Sequence, residues 1–333
     1  MLLTTATEDA SPWHAGEQAL QRQAGVAGRM EEVGRRVLRD HLIEQHRAFY
    51  PQLPFIVLGT VDGEGYAWAT VRGNAPGFLQ SPDPYTLHVA LGRESADPAD
   101  AGIGDGNAIG MLGIELHTRR RNRLNGTIRR TRAAGFEVDV GQAYGNCPKY
   151  IQLRDFSFVD DPSNEPIAGP IVLQALDGEA RRMIDGADTF FVATYADLAH
   201  GERQADVSHR GGKPGFVRVD GDGVLTIPDF AGNLFFNTLG NILANGKAGL
   251  VFADFETGGL LQLTGDAKVI LEAPELAAFE GAERFWRFTP RRIIRRPGAL
   301  PLRWASHAQG QSPSLRMTGS WDEAARRLAG PIA

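Results

Sequence analysis

The strongest constraint on the fold is an internal repeat, in which segments of the first half of the chain return in the same order in the second half. Gly-Asn-Ala-Pro-Gly-Phe at 73–78 returns as Gly-Gly-Lys-Pro-Gly-Phe at 211–216. Three weaker pairs keep the order and nearly the same spacing: 54–57 with 189–192, 110–114 with 248–252, and 123–126 with 262–265. Four ordered matches indicate two copies of one domain.

Each copy is predicted to be a β domain. Short apolar or alternating runs are bounded by Gly, Pro, Asp and Asn, which is the chemistry of hairpins and turns. Such runs favour a closed or sandwiched antiparallel sheet, because a parallel sheet would need helices between its strands. Helical spacing appears at the edges, over 14–49 and 321–328, and residues 178–184 between the copies fit a helical turn or two. The predicted strands are 55–61, 87–91, 108–116, 216–219, 225–227, 248–255 and 260–263.

Composition excludes several classes of protein. The 333 residues carry a formal net charge of -5, whereas a dedicated nucleic-acid binder is expected to be strongly basic. No apolar run approaches the roughly 18 residues of a membrane-spanning helix, and the first 25 residues show no secretion signal. The single cysteine, Cys147, forms no internal disulfide and no multi-cysteine metal site. We expect a cytoplasmic protein without a metal, a membrane or a nucleic-acid partner.

Two arginine clusters have two interpretations. Seven arginines lie within 119–132, and the second cluster comprises Arg291, Arg292, Arg295, Arg296 and Arg303. They indicate either a surface for a polyanion or the solvent face of strands in an arginine-rich protein, and we favour the second. Arginines of this kind also face anionic cofactors.

The two copies differ in the loops that the repeat makes equivalent. In the first copy, Gly92–Gly106 is an acidic loop with four carboxylates, which makes a ligand less expected there. In the second copy, Pro228–Asn241 has one carboxylate and three asparagines, and 208–218 supplies Ser, Arg and Lys. Those residue types suit a phosphate monoester. On composition alone, a turn-rich hairpin that faces water is an equal alternative.

A family resemblance rests on five segments: 212–219, 234–241 and 248–252, with 146–152 and 11–17. Together they resemble the pyridoxamine 5'-phosphate oxidase-like FMN-binding split-barrel family. The likeness is to its tandem-domain type, related to the N-terminal module of flavin/iron–sulfur reductase fusions. The resemblance implies a mainly β fold with flanking helices, in which two tandem antiparallel split β-barrels form an intrachain pseudo-dimer and bind FMN at their interface.

The resemblance also implies the site and the domain bounds. It places Arg218, Asn237, Thr238 and Asn241 at the phosphate, with Ser208, Arg210 and Lys213 behind them. Three residues approach from the other copy: Lys149, Tyr150 and Gln152. The candidate proton donors are His209 and Tyr150. The predicted bounds are an N-terminal helical arm at 1–50, a first split barrel at 51–160, a linker at 161–188, a second split barrel at 189–290 and an Arg/Pro-rich C-terminal tail at 291–333.

The resulting hypothesis is an FMN-dependent oxidoreductase of unknown substrate. The Asn237-Thr238 order and the segment Asn241-Ile242-Leu243 depart from the true oxidases, so pyridoxamine-phosphate oxidation is not expected. The alternative is a non-catalytic protein that binds flavin, deazaflavin or haem. The expected partner is a small-molecule substrate or an electron-transfer protein such as a separate reductase, and the sequence leaves a homodimer open, with the N-terminal helix as its arm.

Overall fold

The structure is a computed structural model that describes residues 11–159, 169–198 and 201–329. Three helices precede the first β domain: α1 (Ala15–Gln23), α2 (Ala27–Val37) and α3 (Glu44–Phe49). The first domain is an antiparallel sheet of seven strands in the order β2-β1-β5-β6-β7-β4-β3. Its strands are β1 (Phe55–Val61), β2 (Ala67–Gly73), β3 (Leu79–Asp83), β4 (Thr86–Val89), β5 (Ala108–Ile114), β6 (Arg121–Arg132) and β7 (Gly135–Gly145).

The second domain repeats this topology, with the strand order β11-β10-β14-β15-β16-β13-β12. Strand β9 pairs with β16, and a separate ribbon joins β8 to β17. The remaining elements are β8 (Arg154–Phe158), β9 (Ile171–Leu173), α4 (Gly178–Gly186), β10 (Thr189–Asp197), β11 (Arg203–Gly211), β12 (Arg218–Val219), β13 (Leu225–Phe230), α5 (Asn237–Asn245), β14 (Lys247–Ala253), β15 (Leu260–Ile270), α6 (Pro274–Ala278), β16 (Ala282–Arg296), β17 (Leu302–Ser306) and α7 (Trp321–Ala329).

Alternate residues of the same strands build two kinds of core. In β1, Ile56 and Leu58 face the interior of the first domain, whereas Phe55 and Val57 pack in a cluster that also contains Phe191 of β10. This alternation follows from the two-residue period of a strand. Each domain therefore has its own core, and a third core joins the two. The predicted fold class is confirmed: two tandem antiparallel split barrels form a pseudo-dimer within one chain.

Glycines let the two domains approach closely. Gly110 of β5 and Gly249 of β14 occupy equivalent register positions, opposite Gly59 and Ala193 respectively. A Cβ at Gly110 would lie 2.7 Å from the Asp206 backbone, and one at Gly249 would lie 2.2 Å from the carbonyl oxygen of Ala67. These positions tolerate no side chain because the backbone of the opposite domain occupies the space.

The N-terminal and C-terminal regions differ in detail from the sequence pattern. The predicted helical segment 14–49 is three helices, and Gly25, in the left-handed region at φ 69°, separates the first two. Strand β16 continues through the proposed boundary at 290 to Arg296. Residues 161–168 of the proposed linker lie outside the described residues. Within the described ranges, no helix is long and apolar enough to span a bilayer.

We expect Gly249→Ala to lower the free energy of unfolding by about 1–3 kcal/mol, because the new methyl group meets backbone of the other domain. The matched control is Gly63→Ala, which places its methyl group in open space and should change stability by less than about 0.5 kcal/mol. Urea unfolding of both variants measures the difference. Equal stabilities would contradict the close packing of the two domains at β14.

Candidate functional site

A cavity of about 100 Å³ lies between the two domains and is lined by both of them. Five cationic side chains and two carboxylates line it, so it carries an excess of positive charge. The first domain contributes Arg121, Arg123, Asn146, Cys147, Lys149 and Tyr150. The second contributes Ser208, His209, Arg210, Gly211, Phe216, Pro228, Asp229, Phe230, Gly232, Asn233, Leu234, Phe236, Asn237, Thr238, Leu239, Glu283 and Arg284.

Strand alternation aims the arginines of β6 at this cavity. Arg121 and Arg123 are two residues apart and share one face of the strand, whereas Leu124 packs in the core of the first domain. The arginine-rich segment at 119–132 is therefore not simply a solvent face, since Arg123 is only 8% exposed.

Arg123 is fixed by hydrogen bonds to both domains. Its Nη1 donates to the hydroxyl of Tyr144 at 3.2 Å and to Oδ1 of Asn237 at 3.1 Å. Its Nη2 donates to Oγ of Ser208, which lies 2.8 Å from Oγ1 of Thr238. Planar guanidinium groups suit this fixed, multi-donor geometry. The network holds one edge of Arg123 in place at the domain interface.

Asp229 of β13 joins two further cationic groups. Arg210 Nη1 donates to Asp229 Oδ1 at 2.9 Å, and Arg284 Nη1 donates to Asp229 Oδ2 at 3.0 Å. Asp229 is 5% exposed, so this ion-pair triad is shielded from solvent. Arg284 also pairs with Glu283 at 2.7 Å, so two carboxylates balance the two arginines of this cluster.

Arg121 is a cavity cation for which the described residues supply no counter-ion. Within the described part of the chain, its side chain makes no hydrogen bond or ion pair. Burial and the neighbouring charges of Arg123 and Arg210 lower its pKa to about 9, so it still carries its charge at neutral pH. An unpaired guanidinium beside two others is unfavourable unless an anion joins it.

Several buried polar atoms at the cavity have no hydrogen-bond partner in the described ranges. They are Nε of Arg121, Arg123 and Arg210, and Nε2 of His209. The N-terminus of α5 also lines the cavity, and its first residue is preceded by Phe236, whose side chain supplies no cap. Unpaired N–H groups and the positive end of a helix dipole favour an anion. The arrangement is chemically an anion site.

A buried carboxylate network lies behind the cavity. Glu17 of α1, 1% exposed, accepts a hydrogen bond of 2.6 Å from Nδ2 of Asn237, whose Oδ1 binds Arg123. Burial, and next the negative charge of Asp206, raise the pKa of Glu17 to about 8. Glu17 is therefore mostly protonated at neutral pH. Helix α1 reaches this position because Gly16 packs directly against Gly240 of α5.

The structure brings seven of the sequence-predicted residues to the cavity. These are Lys149, Tyr150, Ser208, His209, Arg210, Asn237 and Thr238. Burial and nearby arginines lower the pKa of His209 well below its ordinary value, so its imidazole is neutral. Burial raises the pKa of Tyr150 to about 12. Its hydroxyl keeps its proton and donates to the carbonyl oxygen of Ala231 at 3.1 Å.

The other four predicted residues do not line the cavity. Arg218 stacks on Trp321, with its guanidinium carbon 3.9 Å from the ring centre, and Lys213 donates to the carbonyl oxygen of Thr318. Gln152 accepts a hydrogen bond from the backbone N–H of Ser312. Asn241, on the buried face of α5, donates to Thr194 and Asp206.

Sequence reasoning missed Arg121, Arg123, Arg284 and Glu17 as site residues. The alternation of Arg121 and Arg123 along a strand was a usable signal, but their partners lie in the other domain. Helix α5 was also missed. Its residues Asn237, Thr238, Gly240 and Asn241 are weak helix formers, so burial in the tertiary structure overrides local propensity.

No family model and no curated protein matches this sequence. Similar solved structures include the FAD binding protein from Mycobacterium smegmatis, at 16% identity over 38% of this chain and 96% of that chain, with a TM-score of 0.26. A protein of the pyridoxinephosphate oxidase family from Clostridium acetobutylicum matches at 12% identity over 38% and 92%, with a TM-score of 0.27. HutZ, the haem storage protein from Vibrio cholerae, matches at 14% identity over 38% and 96%, with a TM-score of 0.26.

The raised pKa of Glu17 predicts a pH dependence of stability. Because this pKa is about 8 in the folded protein and near 4.5 when unfolded, the folded state binds more protons between these values. The Glu17 contribution is complete below pH 4.5 and is lost as the pH rises toward 8. We expect Glu17→Gln, which mimics the protonated acid, to remove this loss.

Urea unfolding at pH 5, 6.5 and 8 checks the prediction. The stability of wild type relative to Glu17→Gln should fall by up to about 1.4 kcal/mol per pH unit. Titrating groups that do not interact with Glu17 cancel in this comparison. Parallel profiles for the two proteins would mean that Glu17 is ionised throughout.

Proposed function

We propose that this protein is an FMN-dependent oxidoreductase that binds the phosphate of FMN in the cavity between its domains. The observation that carries the proposal is the group of three guanidinium groups, Arg121, Arg123 and Arg210, each with an unpartnered Nε at one small cavity. The site is distinct from a solvent-facing arginine cluster because its charges are partly desolvated and one of them has no counter-ion.

The donor set suits a phosphate monoester. Guanidinium groups form short, charge-assisted bonds to phosphate oxygens, and the N-terminus of α5 adds backbone donors and a favourable dipole. The volume of about 100 Å³ accommodates a phosphate-sized group, and the rest of a mononucleotide would extend toward the mouth. Asp229 and Glu283 remain on the wall, where Arg210 and Arg284 neutralise Asp229.

A bound flavin supplies the two-electron chemistry, and the protein supplies binding, orientation and electrostatics. Under this proposal, the arginines anchor the anionic end and fix the orientation of the cofactor. The hydroxyl of Tyr150 holds a proton at neutral pH, and neutral His209 offers an unpartnered Nε2. Both side chains line the cavity and are the candidate proton donors of this proposal. The substrate is a small molecule or an electron-transfer partner.

One observation favours a second candidate, haem binding without turnover. His209 is buried, neutral and unpartnered at Nε2, which is the state of an imidazole that ligates iron. The same arginines would pair with the propionate carboxylates of haem. A Soret band that appears with haemin in wild type and is lost in His209→Ala would favour this candidate over flavin.

The FMN proposal predicts that Arg121→Ala weakens FMN binding by about 10- to 100-fold, because a hydrogen-bonded charge contributes about 1.5–3 kcal/mol. Arg218→Ala is the control, since Arg218 lies on Trp321 outside the cavity. Fluorescence titration with FMN measures both affinities. Riboflavin, which lacks the phosphate, should bind both variants and wild type alike.

An unchanged FMN affinity in Arg121→Ala would overturn this phosphate assignment. So would a loss of affinity in Arg218→Ala that exceeds the loss in Arg121→Ala. Turnover is tested separately, by whether bound FMN is reduced by a nicotinamide donor and reoxidised by oxygen.

A further inference from the structure

The strand registers assign cavity residues of the strands counterparts at the other end of the domain interface. Ile56 pairs with Arg72 in the first domain as Phe190 pairs with Arg210 in the second. By the same registers, Leu58 pairs with Thr70 as Val192 pairs with Ser208. Thr70 and Arg72 are therefore the counterparts of the cavity residues Ser208 and Arg210.

The other half of the counterpart comes from the second domain. Leu112 pairs with Arg123 as Val251 pairs with Gln262, so Gln262 stands where the cavity has Arg123. Arg296 pairs with Leu260, the counterpart of Arg121, at the end of β16. Thr70, Arg72, Gln262 and Arg296 thus form a second cationic site, and all four are less than 9% exposed.

Carboxylates of the acidic loop fill this second site. Asp97, 2% exposed, accepts hydrogen bonds from Thr70 Oγ1 at 2.6 Å and Gln262 Nε2 at 2.9 Å. Its Oδ2 lies 3.5 Å from Arg72 Nη1 and 3.3 Å from Arg296 Nη1. Glu94 bridges the same two arginines, at 2.7 Å from Arg72 Nε and in contact with Arg296.

We infer that the chain contains a second anion site, related to the cavity by the pseudo-twofold, and that its own Glu94 and Asp97 occupy it. The external ligand of both sites is a phosphate-type anion, and the wild-type chain binds one such ligand because only the cavity is open. The prediction that wild type binds one anion rests on the proposed function. The closure of the second site rests on its ion pairs alone.

The asymmetry lies in the loops and not in the strands. Both sites keep a hydroxyl and an arginine on the strand next to β1 or β10, at equivalent positions. At the second site, Glu94 and Asp97 of the first-domain loop reach across to Arg296 of the second domain. In the cavity, no carboxylate of the described residues pairs with Arg121, and residues 231–236, which follow β13 and lead into helix α5, carry no charged side chain.

Removal of the two carboxylates should open the second site. We would compare full-length wild type, Glu94→Ala/Asp97→Ala and the control Asp139→Ala, which removes a carboxylate from an exposed pair with Arg129. Equilibrium dialysis with radiolabelled inorganic phosphate counts bound anions per chain. The double variant should bind one phosphate more than wild type, and Asp139→Ala should match wild type.

The inference that Glu94 and Asp97 close the second site is overturned if the double variant and wild type bind the same number of phosphates. A wild-type value of two overturns it as well. A wild-type value of zero with a gain of one in the double variant supports the closure and instead contradicts the proposed phosphate role of the cavity.

A single variant covers the case in which the double variant does not fold. Glu94→Ala removes the side chain that is 31% exposed and leaves Asp97 in place. Added phosphate should raise its thermal midpoint more than it raises that of wild type, by several degrees, because phosphate replaces the missing carboxylate. An equal rise in both proteins would overturn the inference.

Discussion

The packing of two sheets through a shared apolar core is the constraint on which the rest of the structure depends. Phe55 and Val57 of the first domain meet Phe191 and Val207 of the second, and glycines at equivalent strand positions bring the two backbones together. The side chains between these residues belong to the separate cores. Alternate residues of each strand build the shared core and the domain's own core. A shift of one residue in strand register would therefore remove apolar side chains from both cores.

The pseudo-twofold arrangement places two cationic sites at the two ends of this interface, and loop composition distinguishes them. At one end, Asp97 and Glu94 neutralise Arg72 and Arg296. At the other, Arg121 has no counter-ion among the described residues, and Arg210 shares Asp229 with Arg284. A duplicated framework with one self-neutralised end and one open end is the basis of the single anion site that we propose.

The buried arginine side chains at the open end depend on the hydrogen bonds that surround them. Arg123 is held by Tyr144, Asn237 and Ser208, and Asn237 also binds Glu17. A buried cation without partners is costly, so these bonds and an incoming anion act together. The orientation of Arg123 is thereby set before a ligand arrives, which lowers the conformational cost of binding.

The sequence by itself determined the duplication, the β class and part of the lining of the cavity. Repeated segments and turn residues locate strands such as Phe55–Val61 to the residue, and local chemistry identifies 208–210. Only the tertiary structure decided that Arg121 and Arg123 line the same cavity, with Glu17 behind it. It also decided that 237–245 is a helix and that Arg218 lies outside the cavity. The physical reason is distance along the chain: these contacts link residues from 85 to 220 positions apart, and burial there outweighs local propensity.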